Sequence, residues 1–147
     1  MASSSSRPLL LDVNALLALA WPNHQFHRSV VGRLERRPTT HWATCALTQL
    51  AFVRLSSNPT IVEVRRTPSQ ALGILATLVA ERRHRYLEPL PALLDVATYF
   101  QRLLGHQQVT DAYLLAIAAT NDAVLLTLDR RVVPPDTARK HIEVITP

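Results

Sequence analysis

Short apolar runs alternate with longer amphipathic ones along this chain. "PLLLD" (8–12) is too short and too continuous for a helix and reads as a buried strand. Residues 13–21 follow as a helix that Pro22 stops. "HQFHRSVVGRLERR" (24–37) puts Phe26, Val30, Val31 and Leu34 on one face, the spacing of an amphipathic helix. "HWATC" (41–45) predicts a second strand, and "ALTQLAFVRLSS" (46–57) a helix ended by Asn58-Pro59. Thr67 before Pro68 supplies a cap and a first-turn proline for a helix over 68–83. "RYLEP" (85–89) is the third predicted strand. A helix over 93–104 stops at Gly105, and Thr110 caps another over 111–120, with Asn121 ending it in the left-handed conformation. "AVLLTLD" (123–129) and "IEVI" (142–145), the latter after a Pro-Pro turn, complete the strands.

Apolar strands separated by helices predict an α/β fold, a parallel sheet covered on both faces. The length, 147 residues, suits one domain with a sizeable core. Residues 1–7 are expected to be a disordered serine-rich tail and 8–147 a single domain. A hydrophobic fraction of 48% excludes a disordered chain. Arg7, the apolar run and Ala18-Leu19-Ala20 mimic a secretory signal, but Asp12 and Asn14 interrupt its apolar stretch, which is also too short to span a bilayer. The single cysteine, Cys45, excludes an intrachain disulfide and fits a reducing compartment. A cytoplasmic chain with no membrane association is therefore expected. The net charge of +5 is almost all arginine, with Lys140 the one lysine, and arginine forks suit phosphate or carboxylate partners.

Candidate chemistry comes from topology. Ligands of open parallel sheets sit beyond the carboxyl ends of the strands. Asp12 ends strand one, Asp129 lies just past strand four, and Asp111 opens the helix that feeds strand four, so all three belong to that edge. Each also has a purely structural reading, Asp12 as a cap, Asp111 as a partner of the helix dipole and Asp129 as a turn residue. Three carboxylates at one rim repel unless a cation neutralises them, and carboxylate oxygens suit Mg²⁺ or Mn²⁺.

"LLLDVNALLALAW", "WATCALTQLAFVRLSSNP" and "VTDAYLLAIAATNDAVLLTLD" resemble, in that order, the PIN-domain family and within it the VapC-type toxins of toxin–antitoxin pairs. The resemblance implies a three-layer α/β/α PIN-like fold with a central, mostly parallel sheet of four to five strands. It implies a metal-dependent endoribonuclease that hydrolyses RNA with Mg²⁺ or Mn²⁺, a cognate VapB-type antitoxin and a homodimer. Asp12, Asp111 and Asp129 match three of the family's four acidic positions and are the expected catalytic metal ligands, with Asn14 and Thr127 in support. The fourth acid, a glutamate in the family, aligns with Thr48-Gln49, and Gln49 is expected to complete the catalytic pocket without adding charge. Glu63 lies beyond Asn58-Pro59 and is not a replacement. The departure at Gln49 leaves an alternative open, a weak or inactive PIN-fold module that binds RNA or an antitoxin without cleavage.

Other features add less. Arg130 and Arg131, next to Asp129, are the arginines placed to meet RNA phosphate, whereas the remaining clusters read as solvated helix ends. His24 and His27 lack further zinc ligands nearby and read as surface residues. Cys45, Trp21 and Trp42 read as packing residues. Receiver and dehalogenase folds also gather aspartates at this edge, but they need a lysine there, and Lys140 precedes strand five at the opposite edge.

Overall fold

A computed structural model describes residues 7–58, 66–88, 90–103 and 105–146. Most of the expected tail, the end of the third predicted strand and Glu63 lie outside the described residues. Five strands, β1 (Leu9–Leu11), β2 (Trp42–Thr44), β3 (His84–Tyr86), β4 (Val124–Thr127) and β5 (Ile142–Val144), form one sheet in the order β3-β2-β1-β4-β5. All four pairings are parallel, with Leu9 opposite Trp42 and Val124, and Leu10 opposite Leu125. Strand side chains alternate between faces. Leu9 and Leu11 therefore pack with Trp42 against α1 (Val13–Ala20), α2 (His27–Glu35), α3 (Ala46–Ser56) and α4 (Pro68–Val79). Leu10, Ala43 and Leu125 face the other way, against α5 (Val109–Thr120) and the short helix Asp136–His141. Each core strand thus feeds two apolar layers, and the architecture is α/β/α as expected.

Local chemistry sets most element ends. Thr67 accepts the Gln70 backbone N–H while the Gln70 side chain accepts the Thr67 N–H, a reciprocal cap ahead of Pro68. Near the site the boundaries differ from expectation. α2 begins at His27, so His24 stands in the preceding turn, where its Nδ1 accepts the Phe26 N–H. α5 begins at Val109 with Gln108 as cap, and Thr110 lies inside it, because a short 3₁₀ turn, His106–Gln108, runs straight into the helix. The segment Leu93–Phe100 is 3₁₀ rather than α and ends five residues before Gly105. Asn121 keeps a negative φ, and the positive φ falls one residue later on Asp122. Lys140 sits in the short helix before β5, away from the carboxyl edge. No helix among the described residues is long and apolar enough to cross a membrane.

Candidate functional site

The strand order reverses direction at β1 and β4, so connections leaving those two strands part company and open a crevice at their carboxyl ends. Asp12 is the first residue past β1. Its Oδ1 accepts the Ala15 N–H at 2.7 Å and so caps α1, while its Oδ2 accepts the Thr127 hydroxyl at 2.5 Å. Asp12 thus caps α1 with one oxygen and is held by Thr127 through the other. Burial pushes this carboxyl above the ordinary value; the Thr127 hydroxyl and the Ala15 and Leu128 N–H groups pull against it, and the charge of Asp129 adds to the push.

Thr127, at the end of β4 and fully buried, joins the two strand ends: its Oγ1 also accepts the Asp129 N–H at 3.0 Å. Asp129 faces Arg131. Its Oδ1 accepts Arg131 Nε–H and its Oδ2 accepts Nη2–H, both at 2.9 Å, and Oδ1 also accepts the Arg131 backbone N–H. The Arg131 guanidinium holds Asp129 below the usual carboxylate range against a smaller opposing effect of burial. Arg131 Nη1 in turn donates to Gln107 Oε1 at 2.7 Å, a partner the sequence pattern did not single out.

Asp111 points from the first turn of α5 into the same neighbourhood. Burial raises its carboxyl from 3.8 to about 7, the charges of Asp12 and Asp129 adding to the rise and Arg131 relieving part of it. Acids from three distant segments therefore share one field. As they stand they do not close on a single point: among the described residues no three His, Cys, Asp or Glu side chains are grouped closely enough to hold an ion. Like charges at this separation repel, and Asp129 takes the guanidinium as its counter-ion.

Beside the acids is a cavity of about 340 Å³ lined by Asn14, His24, Gln25, Phe26, Leu128, Asp129 and Arg131. It places the exposed Asn14 and the Arg131 side chain at one mouth, whereas Arg130 is exposed and has no hydrogen bond or ion pair among the described residues. His24, expected to be a plain surface residue, is a wall of this cavity. Its imidazole is held below its usual range by burial and by His27. His27 donates its Nδ1–H to the Ala18 carbonyl at 2.7 Å, which orients it as a structural group. A histidine and a phenylalanine two residues apart at a helix start were the available signal, and periodicity assigned both to the helix.

Residues 9–138 match the PIN domain. The chain belongs to the PIN-domain family. It is similar to proteins called Ribonuclease VapC in Mycobacterium tuberculosis: 39% identical over 120 residues to VapC38 (82% of this chain and 84% of that one), and 35% identical over 149 residues to VapC44 (92% and 98%). VapC39 of the same organism is 35% identical over 121 residues, 82% of this chain and 87% of its own. These relatives place the chain in the VapC branch of the PIN-domain family.

Thr48 and Gln49 occupy the segment aligned with the fourth acid of the PIN pattern, and the structure divides them. Thr48 is buried and structural: its hydroxyl accepts the Cys45 N–H at 3.0 Å and donates to the Cys45 carbonyl at 3.1 Å, closing the first turn of α3. Gln49 is half-buried, and its Nε2 donates to Thr44 Oγ1 at 3.0 Å; Thr44 Oγ1 also lies 2.7 Å from His84 Nε2. Burial, with Arg85 nearby, holds His84 below its usual range, and its Nε2 shares a hydrogen bond with the Thr44 hydroxyl. The Gln49 Oε1 takes part in no hydrogen bond among the described residues. A glutamate at this position could not donate to Thr44, so a bond between them would need the Thr44 hydroxyl as donor. Cys45 is buried, and Trp42 Nε1 donates to Glu81 at 2.9 Å, so both have the packing roles expected of them.

Proposed function

We propose that this chain is a Mg²⁺- or Mn²⁺-dependent endoribonuclease, the toxin of a toxin–antitoxin pair, and that Asp12, Asp111 and Asp129 hold the metal. The single observation that carries the reading is that Asp12, Asp111 and Asp129, from three distant segments, lie in one another's field at the switch-point crevice between β1 and β4. Burying acids together is unfavourable unless something cationic compensates them. The donor set consists of carboxylate oxygens, the ligands that suit hard divalent cations. The relatives named above are themselves called ribonucleases.

When bound, the metal supplies an activated water and neutralises charge on the phosphodiester. The residues of this chain prepare that chemistry. Asp12 is fixed at both oxygens by the α1 cap and by Thr127, so it enters with its orientation already determined. Asp129 would be free to hold the metal once Arg131 leaves it, and the Arg131 guanidinium, at the cavity mouth, can give its charge-assisted bonds to a phosphate instead. Arg130 is beside it for the same backbone. Gln49 Oε1 would offer the pocket an acceptor that adds no charge, its Nε2 being held by Thr44. Asn14 stands at the entrance.

The reading includes a cytoplasmic setting, a VapB-type antitoxin that covers the crevice and a homodimer. A second reading, binding of RNA or antitoxin without cleavage, draws on one observation: the position aligned with the family's glutamate is an amide already donating to Thr44. Induced expression separates them. Growth arrest relieved by Asp12→Ala and by the adjacent gene is the expected result; arrest that persists in Asp12→Ala favours binding alone.

A further inference from the structure

Three concavities follow one another along α2. The first is the cavity at the acids, walled by His24, Gln25 and Phe26 at the start of the helix. The second lies between α2 and the edge strand β5, lined by Arg28, Ser29, Gly32, Arg33, Arg36 and Glu143 among others. The third, about 550 Å³, sits at the amino ends of β1 and β4 and is lined by Arg7, Arg33, Arg36, Arg37, Thr40 and Glu143. The last two share Arg33, Arg36 and Glu143, so they form one groove. Nine residues of α2 cover about 13 Å between the acids and the far end.

The groove is strongly basic, with one carboxylate in it. Glu143 Oε1 and Oε2 accept Arg33 Nη2–H at 2.9 Å and Nε–H at 2.5 Å, and the half-buried Arg33 is satisfied by this fork. Arg36 is 3.8 Å from the same carboxylate with its side chain 67% exposed, and Arg37 reaches Glu143 only through its field. The side chains of Arg28 and Arg37 make no hydrogen bond or ion pair among the described residues. After Glu143 has neutralised Arg33, the charges of Arg28, Arg36 and Arg37 remain turned to solvent along one wall. A fold gains no stability from massing like charges, and an anionic occupant offsets the repulsion.

We propose that this α2–β5 groove is a second nucleic-acid site, a track for the sugar–phosphate backbone of RNA that enters the acidic crevice. The proposal rests on the ribonuclease reading: His24 and Phe26, just ahead of α2, wall the crevice, Arg28 and Arg36 of the same segment line the groove, and arginine matches a phosphate backbone. Without metal the acids of the crevice repel phosphate and Arg131 is held by Asp129, so further backbone contacts on the surface add to what Arg130 and Arg131 supply at its mouth. Arginine forks spaced along a groove supply them, without sequence preference. Arg33, already forked to Glu143, acts as the fixed wall, and Arg28, Arg36 and Arg37 are the phosphate contacts.

The test is the binding of fluorescent RNA in EDTA, read by anisotropy over a salt series, for the wild type and for R36A/R37A. A charge-matched pair on exposed positions elsewhere, R54A/R82A, is the control. A dodecanucleotide is long enough to meet all the arginines of the track at once, and a trinucleotide is not. The expected result is a loss of about tenfold at low salt for the dodecanucleotide with R36A/R37A, and a salt slope shallower by about 1.4, or 0.7 for each phosphate contact removed. The trinucleotide, which meets fewer of these arginines, should lose clearly less, and the control pair should behave as wild type. Equal losses with the control pair, equal losses with the trinucleotide, or an effect on polyglutamate binding but none on RNA would each overturn the track. Failure of the ribonuclease reading looks different: wild type then leaves both RNAs uncut when metal is restored.

Discussion

Replacing Asp111 with asparagine removes a charge that the metal-free fold carries at a cost. In the folded state the carboxyl keeps its proton to about pH 7, whereas its ordinary value is 3.8. Stability from this group is therefore fully present below about pH 4 and is lost as pH rises through 7, since the unfolded chain binds fewer protons across that window. The gap between 3.8 and about 7, at about 1.4 kcal/mol for each pH unit, bounds the loss at about 4 kcal/mol. Asp111 is partly open to solvent, so about half of that, roughly 2 kcal/mol, is the expected size. Asp111→Asn should thus be more stable than wild type by roughly 2 kcal/mol at about pH 8 and nearly equal to it at about pH 4. Urea unfolding in EDTA across this range measures the difference directly. Added Mn²⁺ should then stabilise wild type at the high-pH end and leave Asp111→Asn unmoved. A difference between the two proteins that does not change with pH would refute the electrostatic reasoning.

Three further outcomes follow from the same geometry. Gln49→Glu adds a charge and loses the bond to Thr44, so RNA cleavage should saturate at lower Mg²⁺ or Mn²⁺; an unchanged metal titration would remove Gln49 from the pocket. Thr127→Val deletes the hydroxyl that holds Asp12 down, so the pH at which metal binds half-maximally should move upward, with activity recovering in more alkaline buffer. Arg131→Met frees Asp129, so metal affinity without RNA should rise a few-fold while RNA affinity falls at low salt; loss of both would mean that the arginine merely supports the loop.

Much of this molecule was readable from hydrophobic patterning because the sheet is parallel and buried on both faces. Runs such as "LLL" and "VLLT" have no polar register to confuse them, and their period of two sends Leu9 and Leu11 to one layer and Leu10 to the other. Once the strands were placed, the carboxyl edge brought Asp12, Asp111 and Asp129 into one field with no further information. Helix starts were less legible where tertiary structure overrode local chemistry. Thr110 is a good cap by type, yet the 3₁₀ turn at 106–108 continues into α5 ahead of it. Pairings that depend on rotamers left no trace in the pattern: Arg131 on Asp129, Gln49 on Thr44, and Arg33 on Glu143 110 residues away. Arg36-Arg37 read as an ordinary solvated helix end because nothing local shows that Arg7, Arg33 and a β5 glutamate meet them.

Isothermal titration of Mn²⁺ into EDTA-treated protein near neutral pH, for wild type, Asp12→Asn and Asp111→Asn, tests the acid cluster most directly. The account predicts saturable binding to wild type with proton release, and no detectable binding to either variant. Binding of equal strength in all three proteins would contradict it.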